Sequence, residues 1–508
     1  MRLSEVLKGI PTLAVLGGLE IEVSGLSASS SIASPSTVFF ALRGFSRDGH
    51  DFVPDAIKSG ASAVVLDRKE VLADVNRLAH DGRPTLILVE DSHSALSIAA
   101  STFFGNPTEH LNLIGIVGTN GKTSVSYLLG SILGLSSAVG VIGTISYRYP
   151  GRKEQASLTT PDPVSLQRLL SEMRDKHVRY VLLETSSHGL AQRRVDGCRF
   201  KMGIFTNITR EHLDFHGTFE DYMAAKLSFF ERHLDPSVSP DATAVVNLDD
   251  AHSDRFLKAS KVKTLTFSTS KEGADFLATR IRLSADGSAF EVKTEDGAFE
   301  VKTSLIGAHA VENCLAAIAA ATALGQAPEQ IVAGIASLGG VPGRFEKVSC
   351  GQDFLVVVDF AHTPDAFAKT MAAARGLISG RIISVFGAGG DRDTAKRAQM
   401  GRIAAESSDL CIVTSDNPRT EDPLSIIHQI EQGARSVAPA EVLVEPDRRK
   451  AIALALSRAC AADVVLILGK GHEPYQIIGT TRYPFDDRMV ARELLFGMGY
   501  NLNGGTPL

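Results

Sequence analysis

The stretch "LNLIGIVGTNGKTSVSYLLGSIL", beginning at Leu111, runs from an apolar strand through a tight polar loop into an amphipathic helix. The loop holds Gly118, Thr119, Asn120, Gly121, Lys122, Thr123 and Ser124. Successive backbone N–H groups and a helix N-terminus at such a loop can wrap an anion. Lys122 can reach terminal phosphates, and the Thr123 hydroxyl can ligate Mg2+. The common spacing G-x-x-x-x-G-K-[ST] would place glycine at 116, where this chain has Ile116, so the loop is a compact variant. ATP is the expected ligand.

Further reactive residues follow other apolar runs. "YVLLE" ends in Glu184 and opens Thr185-Ser186-Ser187-His188, and "GIFTN" leads to Arg210, Glu211 and His212. A carboxylate and an imidazole near ATP phosphates suit Mg2+ or Mn2+. Lys226 lies in the apolar helical stretch "YMAAKLSFF". It is read either as a lysine snorkelling from a helix or as a partly buried amine that reacts with CO2 to give a carbamate.

Later in the chain "IISVFG" leads to AGGDRD, "LCIVTS" to Asp416-Asn417-Pro418-Arg419, and "VVLILG" to Lys470-Gly471-His472-Glu473. "FGAGGDRD" fails as a dinucleotide fingerprint, because Arg392 stands where the third glycine of G-x-G-x-x-G belongs. Arg392, Arg397 and Arg419 suit carboxylate or phosphate clamping. The plainer reading of Arg397 is a solvated face of the helix that follows.

Elements that place polar residues directly after apolar strands are those of open α/β sheets, whose ligands sit at the carboxyl ends of the strands. The 508-residue chain is too long for one core, so about three domains are expected. Gly/Pro-rich breaks at "FGNPTEHLN" and "LGGVPGRFEKVS" put boundaries near 109 and 345, and the tail after about Gly497 is expected to fray. The balance of 52 basic and 58 acidic residues carries no electrostatic footprint for nucleic acid. Five scattered cysteines suit a reducing compartment. No apolar run of membrane-spanning length and no leader-like h-region is evident, so the expectation is a cytoplasmic protein. A monomer is expected.

The motifs "GTNGKTS", "TTPD", "ETSSHGL", "TNITREHLDFHGT", "AAK", "VPGRFE", "DFAHTPD", "FGAGGDRD", "SDNPR" and "GKGHE" occur in that order across nearly the whole chain. The ordered set resembles the Mur ligases of peptidoglycan synthesis. The resemblance implies a UDP-binding domain over 1–108, a P-loop ATPase-like parallel-sheet domain over 109–345, and a Rossmann-like domain over 346–508 that receives an amino acid. It implies that the phosphate acceptor is the D-glutamate γ-carboxylate of UDP-MurNAc-L-Ala-D-Glu, and that an amine attacks the acyl phosphate. Lys226 matches the family's carbamate position, His212 and Glu184 its metal-ligand positions. By the same resemblance Ser30, Thr159, Thr160, Ser186, Gln192 and Arg194 contact the UDP-linked substrate, and Asn313, Arg344 and Asp359 serve ATP. Arg392, Asp416, Asn417, Pro418, Arg419, Gly469 and Glu473 would line the amino-acid pocket. Asp416-Asn417-Pro418-Arg419 resembles a recognition motif for meso-diaminopimelate.

Three positions depart from the family pattern. Ser29-Ser30-Ser31 stands for the usual Asp-Ser-Arg, His309-Ala310 for the usual Phe-Asn, and Phe360 for the usual tyrosine. The rival readings are an L-lysine-adding ligase of the same family, a folylpolyglutamate synthetase-like ligase, a P-loop kinase or ATPase, and a non-catalytic nucleotide-binding scaffold.

Overall fold

A computed structural model of the chain describes residues 1–44, 47–76, 84–437 and 440–501. It divides into two compact units, one formed by residues 1–118 and 133–265, the other by 119–132 and 266–508. The α/β class expected from the alternation of apolar strands and helices is the class the chain adopts.

The first unit opens with a five-stranded sheet in the order Thr12–Leu16, Thr85–Val89, Ala63–Leu66, Thr37–Phe40, Gly25–Ser27. Its first pairing is antiparallel and the others are parallel. The inner strands are buried along their whole length, as sheets covered on both faces require.

The same unit holds the strands that carry Glu184 and lead to Gly118. Their order is Thr243–Asn247, Met202–Phe205, Asn112–Val117, Tyr180–Glu184, Val139–Ile142, Ser146–Tyr149, Arg152–Gln155. The first five run parallel, and the last two pairings are antiparallel. Asn112–Val117 lies between two strands that come later in the chain. That reversal of order opens a crevice at the carboxyl ends, where ligands of such sheets bind. Ile116 pairs with Glu184 on one side and Ile204 on the other, fully inside the sheet. This is why position 116 is not a loop glycine: the strand is still running there. Gly115 is needed for packing, since an added Cβ would collide with Phe229 and Phe200.

In the second unit, Phe276–Ser284, Gly287–Thr294 and Gly297–Thr303 form an antiparallel meander, against which helices Ala308–Ala323 and Pro328–Ser337 lie. A six-stranded sheet follows, in the order Glu346–Lys347, Leu355–Asp359, Val464–Leu468, Ile382–Phe386, Leu410–Val413, Glu441–Val444. All its pairings are parallel except that of the short first strand. Alternate residues feed two cores: Val357, Leu466 and Val413 point to one face, Val356, Ile467 and Ile412 to the other. The chain then makes a hairpin, Tyr475–Ile478 with Thr481–Pro484, that the sequence reading did not anticipate.

The expected fraying after Gly497 does not begin at once. Tyr500 N–H donates to the Leu495 carbonyl, and the Tyr500 ring sits edge-on to Phe354 at 5.8 Å. The remainder of that tail lies outside the described residues. Among the described residues no helix is long and apolar enough to cross a membrane.

Candidate active site

In the first unit Glu184 ends its strand buried, and Oε2 accepts a hydrogen bond from Thr144 Oγ1 at 2.8 Å. Thr144 Oγ1 lies 3.2 Å from Thr159 Oγ1. Gly143 makes room for the carboxylate, since a Cβ there would collide with Oε1. Thr160 Oγ1 donates to the Glu184 carbonyl at 2.8 Å and accepts from the Ser186 N–H at 2.9 Å. Ser186 caps the helix Ser187–Ala191. Arg194 Nη1 donates to the Thr160 carbonyl at 2.6 Å, while Nε and Nη2 both reach Gln192 Oε1. Burial holds the Arg194 guanidinium below its usual pKa. Thr159, Thr160, Glu184, Ser186, Gln192 and Arg194 thus form one polar network at the strand ends. Ser30 is apart from it, opening the short helical turn Ser30–Ile32.

Lys226 sits on helix Phe219–Ser228, capped by Thr218. The snorkelling reading is corrected by its burial: only 1% of the residue is exposed, and Nζ donates to the Gly118 carbonyl at 2.7 Å. Nζ also lies 4.7 Å over the Tyr222 ring. His212 adopts a left-handed backbone, φ +56°, at the start of Leu213–His216. Its ring centre is 4.7 Å from that of His188 and 6.3 Å from that of Tyr222. Burial, with Arg194 next, lowers the His188 pKa; burial, then His188 and Lys226, lowers that of His216 to about 4. Both imidazoles are therefore neutral near pH 7, the form that ligates metals. Among the described residues no group of three or more His, Cys, Asp or Glu side chains converges as a metal site.

In the second unit the phosphate loop enters helix Lys122–Gly134, whose first turn closes with the Val125 N–H on the Gly121 carbonyl. Lys122 Nζ folds back onto the Thr119 carbonyl at 2.8 Å. Arg344 Nη2 lies 3.4 Å from Thr123 Oγ1, and the guanidinium stacks 4.8 Å over the Phe360 ring. The Phe360 departure keeps that aromatic platform and loses only a hydroxyl. Asp359 is occupied by its own neighbourhood: Oδ2 accepts from the Phe345 N–H and Oδ1 from the Ala361 N–H. Asn313 is buried on helix Ala308–Ala323.

The proposed amino-acid loops of this unit are tied together. Asp416 Oδ1 accepts from the Asn417 N–H at 2.6 Å. Asn417 Nδ2 donates to Glu473 Oε2 at 2.8 Å. Gly469, φ +108°, is where a Cβ would press on Asp416 Oδ2 at 2.6 Å. Arg419 Nη1 donates to the Gly390 carbonyl at 2.6 Å, and a Cβ on Gly390 would collide with the Pro418 carbonyl. The glycines of "GAGGD" therefore serve close packing of two loops. Arg392 is exposed. Arg397 does not face solvent as its helix position suggested: it is fully buried and grips Glu421 through both Nη atoms at 2.8 Å. Its carboxylate partner belongs to the protein.

Sequence reasoning missed Lys470 as a site residue, although it is fully buried against Asn417 and Glu473. It also missed the hairpin that holds the Asp416–Arg419 loop. Gln476 Nε2 donates to the Asp416 carbonyl, the Ile477 N–H to Asn417 Oδ1, and the Arg419 N–H to the Ile477 carbonyl. The signal was Gly479-Thr480 between two short runs, a two-residue hairpin loop.

Comparisons with known proteins agree along the chain. Residues 22–104 match the "Mur ligase family, catalytic domain", 116–321 the "Mur ligase middle domain", and 343–471 the "Mur ligase, glutamate ligase domain". A UDP-N-acetylmuramoyl-L-alanyl-D-glutamate--2,6-diaminopimelate ligase of Solibacter usitatus is 44% identical over 509 residues, covering 99% of each chain. One of the same name from Caldanaerobacter subterraneus subsp. tengcongensis is 43% identical over 496 residues, 97% of this chain and 99% of that protein. A solved structure of a ligase with this name superposes with TM-score 0.69 at 30% identity, over 99% of this chain and all of the other. A folylpolyglutamate synthase from Mycobacterium tuberculosis, 18% identical with TM-score 0.61 over 74% of this chain and 92% of that one, shares the fold.

Proposed function

The chain belongs to the Mur ligase family, and from that membership we propose that it joins meso-diaminopimelate to the D-glutamate of UDP-MurNAc-L-Ala-D-Glu at the expense of ATP. It is an ATP-dependent ligase that forms an amide bond in peptidoglycan precursor synthesis. The observation that carries the substrate choice is the Asp416–Arg419 loop, pinned to its hairpin with a guanidinium at its end, in a chain alike over its whole length to diaminopimelate ligases. L-Lysine has no distal carboxylate for that guanidinium. The folylpolyglutamate synthase likeness is one of fold alone.

A carboxylate is a poor electrophile, so its oxygen first takes the γ-phosphoryl group of ATP, releasing ADP. The substrate amine then attacks the acyl carbon, and the tetrahedral intermediate expels phosphate. Lys122 and the N–H groups of Gly118–Thr123 offset the charge on the phosphoryl group in transfer. Asn313, Arg344 and Asp359 serve the nucleotide in this reading. Thr159, Thr160, Ser186, Gln192 and Arg194 hold the UDP-linked peptide, with Ser30 toward its uridine end. Arg392, Asp416, Asn417, Pro418, Arg419, Gly469 and Glu473 receive the diamino acid.

In the first unit Glu184 and His212 suit Mg2+, as a carboxylate and an imidazole kept among neutral rings; in the second, the Thr123 hydroxyl is assigned to a cation at the phosphates. When bound, the cation supplies charge neutralisation at the phosphates. Lys226 is assigned as a carbamate: the ammonium loses a proton, the free amine adds CO2 and loses a second proton, and an anionic oxygen donor replaces a buried cation. Its burial beside the Gly118 carbonyl supports that assignment. The proposed segments are 1–108, 109–345 and 346–508. The working unit is taken as a monomer. The five free thiols suit a cytoplasmic site.

The test is phosphate release from ATP, Mg2+ and UDP-MurNAc-L-Ala-D-Glu with separate amino acids. Release is expected with meso-diaminopimelate, and loss of it in Lys122→Ala. Release without any amine, or equal rates with lysine, would overturn the reading.

A further inference from the structure

Lys470 follows the strand Val464–Leu468 by two residues and is fully buried. Its Nζ donates to Asn417 Oδ1 at 3.1 Å and to Glu473 Oε2 at 3.2 Å. Asn417 Oδ1 accepts a second hydrogen bond, from the Ile477 N–H at 2.9 Å. Asn417 Nδ2 donates to the same Glu473 Oε2 at 2.8 Å.

A side-chain amide has an acceptor end and a donor end, and rotation by half a turn exchanges them. Here two donors converge on Oδ1. A flipped amide would set its NH2 against an ammonium and a backbone N–H, so one orientation is enforced. The donor end then faces Glu473. Lys470 and Asn417 both use Oε2 of that carboxylate. Among the described residues Oε1 receives no hydrogen bond, and the side chain is 21% exposed. One oxygen is thus anchored and the other presented.

We infer that Lys470 is a positioning residue for amino-acid recognition: it locks the Asn417 amide and aims Glu473 Oε1 at a substrate ammonium. The inference rests on the reading of these loops as the amino-acid site. It assigns Lys470 no contact with the reacting atoms, so its loss acts on amino-acid affinity and not on phosphoryl transfer.

The test compares Lys470→Met with Lys470→Arg in the full-length enzyme, varying each of the three substrates. In Lys470→Met the KM for diaminopimelate rises about 10- to 100-fold, the range for losing a charge-assisted hydrogen bond. The KM values for ATP and the UDP-linked substrate stay put, kcat changes little, and Lys470→Arg is intermediate. A uniform rise in all three KM values, or a lower Tm with unchanged kinetics, would show a merely structural lysine. If Lys470→Met does not fold, Lys470→Gln takes its place under the same outcomes. Wild-type enzyme that uses no diamino acid defeats the functional reading itself; wild-type use of diaminopimelate with an unmoved KM in the variant defeats this inference alone.

Discussion

Arg344 Nη2 stands 3.4 Å from Thr123 Oγ1, across 221 residues of sequence. The residue that begins the last sheet's segment thereby touches the hydroxyl of the phosphate loop. Its guanidinium is held flat on Phe360, which in turn meets the His472 ring at 5.0 Å. The aromatic platform matters more than a hydroxyl on it, because stacking needs only the π face.

Arg344→Ala should therefore weaken ATP use. Loss of a hydrogen bond from a charged donor costs roughly 1.5–3 kcal/mol, or about 10- to 150-fold in kcat/KM for ATP. Arg344→Lys keeps the charge without the planar stack and should recover only part. Steady-state kinetics with ATP varied decide it; a full-strength alanine variant would remove Arg344 from the nucleotide site.

Lys226→Ala should nearly abolish turnover, and acetate or another small carboxylate should restore part of it. Isotope-labelled bicarbonate should give a carbamate carbon signal in the wild type that is missing from the variant. An alanine variant with full activity, or no carbamate signal from active enzyme, would refute the assignment.

Acid stability provides a different test. Burial lowers the His233 pKa to about 4 and raises that of Asp196 to about 6. His233 Nε2 is 3.5 Å from Asp196 Oδ1. Between about pH 4 and 6.5 the folded His233 binds fewer protons than the unfolded one, so its contribution is lost as pH falls. The folded Asp196 binds more protons than the unfolded one between about pH 4 and 6, so its contribution is lost as pH rises. The two slopes oppose, each up to about 1.4 kcal/mol per pH unit. Relative to the wild type, His233→Phe should make the slope of stability against pH less positive between about pH 4 and 6.5, and Asp196→Asn should make it more positive between about pH 4 and 6. Thermal midpoints over that range check the signs; parallel profiles for the two variants would contradict them.

What could be read in advance was local. Each strand end was legible because an apolar run gave way at once to hydroxyls, carboxylates or imidazoles. The compact phosphate loop was legible from Ile116, which could only be strand. What escaped depended on distant partners. Arg397 looked solvated because its Glu421 lies 24 residues on. Lys470 was read only as one residue of a strand-end loop because its Asn417 partner is 53 residues back. Lys226 resembled a snorkelling lysine until the chain brought Gly118 over it. In the hairpin the Tyr475–Ile478 strand is mostly half-buried and Thr481–Pro484 is exposed, without alternation, so no burial period marked it.

In the proposed reading the choice of amino acid falls to Arg419. Its backbone sits in the left-handed region, φ +51°, directly after Pro418, whose ring limits the approach. The Arg419 N–H bonds to the Ile477 carbonyl, and the Arg419 carbonyl accepts from the Gly479 N–H. With Nη1 anchored on the Gly390 carbonyl, the remaining donors of the fork can take a carboxylate in bidentate fashion. Diaminopimelate differs from lysine by that one carboxylate. Lysine would bury the guanidinium without its partner, a loss of roughly 2–5 kcal/mol, or about 30-fold to several thousand-fold in kcat/KM. Arg419 is half-buried, which puts the expectation toward the lower end of that range. Arg419→Ala should depress diaminopimelate use far more than lysine use, shrinking the ratio of their kcat/KM values toward one. Competition between the two amino acids in the wild type and the variant measures that ratio directly; a variant that keeps the original preference would place the recognition elsewhere.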